Sequence, residues 1–103
     1  MSKMIELQNW YLSQCNEDWE HCYGIKIETL DNPGWSVSIE LSDTYLEDIK
    51  YPEFCYGMGV DADTSGNEWL DSKVESNTFK GYGGPHKLEE IITVFLAWAK
   101  SNA

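Results

Sequence analysis

Residues 18–41 read DWEHCYGIKIETLDNPGWSVSIEL, and this stretch decides the fold. Two apolar-alternating runs flank Asp31-Asn32-Pro33-Gly34, where proline fixes φ and glycine can supply the positive φ of a type II turn. The pattern predicts a β-hairpin. On the second arm Trp35, Val37, Ile39 and Leu41 share one face, while Ser36, Ser38, Glu40 and Ser42 share the other. On the first arm Tyr23, Ile25 and Ile27 form the apolar set, with Lys26 and Glu28 facing away. A hairpin with one dry face needs other elements to cover it.

The flanking sequence supplies them. Upstream, Ser2 is placed to cap a helix whose inward face is Met4, Leu7, Trp10 and Tyr11. Downstream, 42–52 reads as a connection with a short helical turn near 44–48. A third strand follows with Phe54, Tyr56, Met58 and Val60 on one face and Cys55, Gly57 and Gly59 on the other. A fourth strand over 68–75, with Leu70 and Val74 inward, turns at Ser76-Asn77 into a fifth carrying Phe79. The segment Gly81-Tyr82-Gly83-Gly84-Pro85 ends the sheet and leads into a helix over 86–101, with Pro85 suited to its first turn. That helix carries the broad stripe Leu88, Ile91, Ile92, Phe95, Trp98 and Ala99. The expectation is one α+β domain over 1–103, an antiparallel sheet of about five strands with the N- and C-terminal helices on one face.

Composition narrows the function. The 103 residues carry 18 acidic and 7 basic side chains, a formal net charge of -11, and every basic residue is lysine. Such a field repels nucleic acid and anionic membrane and draws a basic partner. Cys15, Cys22 and Cys55 fit no zinc or thioredoxin spacing, so reduced thiols in a cytosol are expected. The N-terminal stretch lacks the unbroken apolar run of a signal peptide, and no run reaches membrane-spanning length.

Four constellations carry atoms suited to chemistry. Asp18, Glu20 and His21 contain the right atoms for metal or acid-base work, but strand alternation would put His21 opposite the two carboxylates. Asp61-Ala62-Asp63-Thr64-Ser65-Gly66 matches the opening of a calcium loop, yet the twelfth position is Ser72 in place of a bidentate glutamate. The cysteines lie among acids and apolar residues, which disfavours a reactive thiolate. The Gly81-x-Gly83-Gly84 turn is a weak phosphate motif in a chain whose charge opposes anions. No catalytic set, cofactor or metal site assembles from these residues. Of the five tryptophans, Trp19 and Trp69 fall outside the apolar pattern, and an exposed indole beside carboxylates suits an interface.

Several stretches carry a family resemblance. Leu7-Gln8-x-Trp10-Tyr11, Trp19-Glu20-His21, Tyr23-Gly24-Ile25-Lys26-Ile27, Leu30-Asp31-Asn32-Pro33-Gly34-Trp35 and Gly83-Gly84-Pro85 with Leu88-Glu89-Glu90 resemble immunity protein 53, with the Trp-Glu and Pro-Gly-Trp pairs as hallmarks. The likeness spans nearly the whole chain and is thinnest over 42–67. It implies a bacterial cytoplasmic protein encoded beside a polymorphic toxin, which it binds and neutralises without catalysis of its own. Occlusion of the active site of a basic toxin, such as a nuclease, would suit the charge. Candidate contacts are Asp18, Trp19, Glu20, His21, Asp31, Asn32, Trp35 and Trp69. The competing reading is a small acidic metal-binding or enzymatic domain built on the calcium-like loop 61–72 or on Asp18, Glu20 and His21. Sequence leaves the oligomeric state open.

Overall fold

The computed structural model describes residues 2–31, 33–56 and 69–102. Asn32, the outer half of the expected third strand (Gly57 to Val60) and the calcium-like motif 61–66 lie outside them. The described elements are α1 (Lys3–Gln14), α2 (Trp19–Cys22), β1 (Ile25–Leu30), β2 (Gly34–Glu40), β3 (Phe54–Tyr56), β4 (Leu70–Glu75), β5 (Thr78–Gly83) and α3 (Leu88–Ser101). The strands form one antiparallel sheet in the order β1-β2-β5-β4-β3. This is the α+β architecture expected, with both terminal helices on one face of the sheet.

Register explains the two-faced character of that sheet. Ile27 stands opposite Val37, Val37 opposite Gly81, and Gly81 opposite Ser72, so one face runs continuously across four strands. On that face Val37, Ile39, Leu70 and Phe79 are fully buried. The opposite face carries Lys26, Ser38, Lys80 and Lys73 in one row, also set by register. Its lysines lie beside carboxylates: Lys80 is 2.9 Å from Glu75, Lys73 is 3.9 Å from Glu75, and Lys26 is 3.9 Å from Glu28.

α3 packs on β2 and β5, and α1 packs on α3. All six residues of the expected α3 stripe turn inward, Leu88 partly and the rest fully. The helix can approach the sheet because β5 offers glycine. A Cβ on Gly81 would collide with Ile91 Cγ2, and one on Gly83 would stand 2.8 Å from Lys87 Cβ. β5 runs to Gly83, which pairs with Trp35 on one side and Leu70 on the other, so the sheet ends within the segment 81–85 expected to close it. The helix begins at Leu88, and Pro85 sits in the preceding turn, in which Lys87 N–H donates to Gly84 O at 3.0 Å.

Ser2 caps α1 as expected, its Oγ accepting from Ile5 N–H at 3.2 Å. Only Leu7 and Trp10 of the expected inward face are buried, however; Met4 and Tyr11 are 42% and 37% exposed. α1 rests on α3 along a narrow line, leaving the flanks of its apolar stripe open beside β1. Ile27, on the dry face of the hairpin, is 37% exposed for the same reason. The Ser76-Asn77 turn holds both residues at positive φ, 53° and 59°, which matches strand twist in a two-residue hairpin. Gly34 differs from the expectation. It lies in β2 outside the left-handed region, and glycine is required there because a Cβ would run into Gly83 O on the neighbouring strand.

The indoles tie distant segments together. Trp10 Nε1–H donates to Tyr45 Oη (3.2 Å), Trp19 to Ser42 O (3.0 Å), Trp35 to Pro85 O (3.0 Å) and Trp98 to Lys50 O (3.2 Å). Three of these four fasten the irregular 42–51 connection, whose Leu46 and Tyr51 enter the core. That connection winds through successive turns, Thr44 N–H to Leu41 O and Glu47 N–H to Thr44 O, without becoming a helix.

Candidate partner-binding site

The acidic cluster between α1 and β1 forms a helical turn, in place of the strand on which alternation would set His21 opposite Asp18 and Glu20. Asn16 Oδ1 accepts from the backbone N–H groups of Asp18 and Trp19, at 3.0 and 2.8 Å, and so nucleates α2. Glu17 is held at φ 75°. Glu20 folds back, its two carboxylate oxygens accepting from Asn16 N–H and Glu17 N–H at 2.9 Å each. Backbone amides, its own first and then those of Asn16 and Glu17, hold the Glu20 carboxyl below the usual range despite some desolvation. Glu20 thus has a structural task.

Helical geometry points Trp19 into the protein. It is 2% exposed, and its ring lies 6.2 Å from Trp10, 5.9 Å from Tyr11 and 6.3 Å from Tyr23 by centroids. Trp69 is 5% exposed, and its Nε1 is the buried side-chain polar atom without a partner among the described residues. Both indoles were expected outside the core, and burial corrects that expectation. The spacing misled because one turn of helix reverses the facing that alternation assigns, and because Trp69 precedes β4 and is outside its alternation. Trp35 is half-buried, while Asp18, His21 and Asp31 are exposed.

The predicted residues form two groups. Asp18, Glu20 and His21 stand at one end of β1 and Asp31 at the other, separated by six residues of strand, roughly 20 Å at the usual rise. Asp18 of the first group lines a cleft. A cavity of about 420 Å³ is lined by Asn16, Asp18, Trp19, Cys22, Tyr23 and Asp43. A second, of about 380 Å³, shares Cys22 and Tyr23 and extends over the open sheet face past Lys26, Ser38, Glu40 and Thr78.

The charge in this cleft is registered by Tyr23. Its hydroxyl is pushed above the usual tyrosine range by the Asp43 carboxylate first, then by desolvation, Cys22, Glu40 and Glu47. Asp43, Glu40 and Glu47 were not singled out from the sequence. Glu40 arrives through the hairpin, its N–H donating to Gly24 O beside Tyr23, while Asp43 and Glu47 follow Ser42, whose carbonyl the Trp19 indole holds beside α2. Asp43 adopts φ 63° and its N–H donates to Glu47 Oε1 at 3.0 Å, which fixes the two acids together. No sequence spacing announces a contact made through an indole to a carbonyl 23 residues away.

Among the described residues no group of three or more His, Cys, Asp or Glu is placed to hold a metal ion. Ser72, the twelfth position of the calcium-like loop, is buried with its Oγ donating to Phe54 O and paired with Tyr51 Oη, each at 2.7 Å. Its hydroxyl is committed to the core. Cys15, Cys22 and Cys55 are free thiols. None of the described helices is long and apolar enough to cross a membrane.

No curated protein and no solved structure matches the chain. The family model of immunity protein 53 matches residues 4–100, which takes in both terminal helices, the hairpin and the acidic cleft. An immunity function, with a toxin as partner, goes with that match, and the chain belongs to the immunity protein 53 family.

Proposed function

We propose that the protein neutralises its cognate toxin by stoichiometric occlusion in the bacterial cytoplasm, without catalysis, and that the acidic cleft at the base of the hairpin receives a basic segment of that toxin. The observation that carries this reading is the placement of Asp18 and Asp43 with Tyr23 around one cavity and of Glu40 in the adjoining one; the Tyr23 hydroxyl is raised by Asp43 first and then by desolvation, with Cys22, Glu40 and Glu47 behind. Glu20 and Glu47 accept backbone hydrogen bonds in the turns that carry Asp18 and Asp43, so the backbone beneath the contact carboxylates is ordered before binding. A toxin with a Lys- and Arg-lined groove, as a polymorphic nuclease would have, fits such a surface because Asp and Glu take the place of phosphates.

Asp18, His21 and Asp43 would touch the toxin, with Glu20 fixing the turn that carries them. Trp19 would support this surface from beneath, and Trp69 would serve the fold. Asp31, Asn32 and Trp35 would extend the contact only to a toxin lying along the hairpin.

The test is co-expression with the toxin encoded beside the gene, followed by association kinetics across a salt series. The variant Asp18→Lys/Asp43→Asn should lower the association rate about tenfold at low salt, with the thermal midpoint nearly unchanged. Association that ignores both salt and these substitutions would overturn the electrostatic docking. Failure of the wild-type protein to restore growth would overturn the pairing itself.

A further inference from the structure

β1 is an edge strand, and among the described residues nothing pairs with its outer side. Glu40 N–H donates to Gly24 O, and the register sets Gly24 opposite Glu40. Hydrogen-bonded pairs alternate along an antiparallel ladder, so Lys26 and Glu28 direct their backbone groups to β2. Ile25, Ile27 and Thr29 direct theirs to the open edge. Edge strands are usually blunted by a bulge, a proline, a cover or charged side chains; among the described residues β1 has only the last, Lys26 and Glu28, whose opposite signs leave it open to a partner of matching pattern.

Beside this edge, between α1 and β1, lies an apolar groove of about 340 Å³ lined mainly by Met4, Leu7, Tyr11, Ile25 and Ile27. Met4, Tyr11 and Ile27 are each more than a third exposed.

We propose that this edge pairs with β1 of a second copy of the chain, antiparallel about a two-fold axis through Ile27, joining two sheets into one. The charge pattern of Ile25-Lys26-Ile27-Glu28-Thr29 selects that partner. With Ile27 opposite Ile27, the outward backbone groups of Ile25, Ile27 and Thr29 meet their counterparts, and Lys26 of each copy faces Glu28 of the other, two such pairs in all. A slip by two residues in the relative register sets Lys26 against Lys26 in one direction and Glu28 against Glu28 in the other. Only the centred register pairs opposite charges, and it does so at positions with side chains 72% and 58% exposed in the single chain. The same arrangement brings the two apolar grooves together along the axis. The net charge of each copy opposes association at long range, so pairing strengthens as salt screens that repulsion.

Sedimentation equilibrium of the full chain at physiological salt tests this, with far-UV circular dichroism to confirm folding. The wild-type protein should populate a dimer. Lys26→Glu and Glu28→Lys should each weaken dimerisation about tenfold, by turning two attractive cross-strand pairs into repulsive ones. The double variant Lys26→Glu/Glu28→Lys should restore it, because the charges are exchanged and not removed. In amide exchange, Ile25, Ile27 and Thr29 should gain protection with rising concentration, while Lys26 and Glu28 are protected throughout. A wild-type chain that stays monomeric at its highest soluble concentration overturns the proposal. So does a dimer indifferent to the single variants, or one the double variant fails to recover. Protection of the three amides only in the toxin complex would assign the edge to a toxin strand and equally overturn self-pairing.

Discussion

Trp19 offers the sharpest separation between holding a surface and forming it. In Trp19→Ala a side chain 2% exposed is removed, together with its packing against Trp10, Tyr11 and Tyr23. Truncating a buried aromatic costs about 3–5 kcal/mol. The Ser42 carbonyl also loses its donor, which adds roughly 1 kcal/mol. A total of about 4–6 kcal/mol is a large part of the roughly 5–15 kcal/mol that stabilises a typical domain. At roughly 4–8 °C per kcal/mol the midpoint should fall by about 16–48 °C. Trp19→Phe keeps an aromatic ring but not the N–H, so a loss of about 1–2 kcal/mol is expected. Urea unfolding followed by far-UV circular dichroism gives both values. Toxin titration below both midpoints should then show each folded variant with near wild-type stoichiometry. A Trp19→Ala protein that melts like the wild type but no longer binds toxin would refute the reasoning and make Trp19 a contact residue.

Two further predictions concern the frame of the molecule. Gly81→Ala should destabilise by about 1–3 kcal/mol, because its Cβ collides with Ile91 Cγ2 and lies 3.1 Å from Phe79 Cε2. Ile91→Leu in the same chain moves the branch away and should recover part of that loss in a double-mutant cycle of urea midpoints; strict additivity would show that the contact is not the cause. Glu20, whose folded pKa is depressed, contributes stability that is present above the ordinary glutamate range and lost as pH falls through its lowered folded value. Glu20→Gln should therefore melt lower at neutral pH and flatten the acid limb of the stability profile, whereas an unchanged acid limb would remove Glu20 from the account.

Local pattern was a good guide wherever an element's neighbours in space are also its neighbours in sequence. Period-two alternation around Pro33-Gly34 located the β1–β2 hairpin, Ser76-Asn77 located the β4–β5 turn, and the stripe from Leu88 to Ala99 located α3 and the face it buries. The family resemblance rested on the same legible stretches. The placement of Met4 and Tyr11 failed because a helix's apolar stripe does not say how wide its partner is.

What the chain alone determined, then, is its α+β composition, its two hairpins, its acidity and its family. Strand order, with β2 beside β5 across the long interval from Glu40 to Thr78, was decided only by tertiary structure. So were the reason for glycine at 34, where a carbonyl of a distant strand leaves no room for a Cβ, and the burial of Trp19. The acidic cleft belongs to the same class. Asp18 and Asp43 come from segments more than 20 residues apart, and the indole hydrogen bond from Trp19 to Ser42 ties those segments together. Periodicity reports which face of an element is dry, because that depends on neighbouring residues. It is silent about which distant backbone covers that face, because that choice is made by packing and hydrogen bonding across the whole chain.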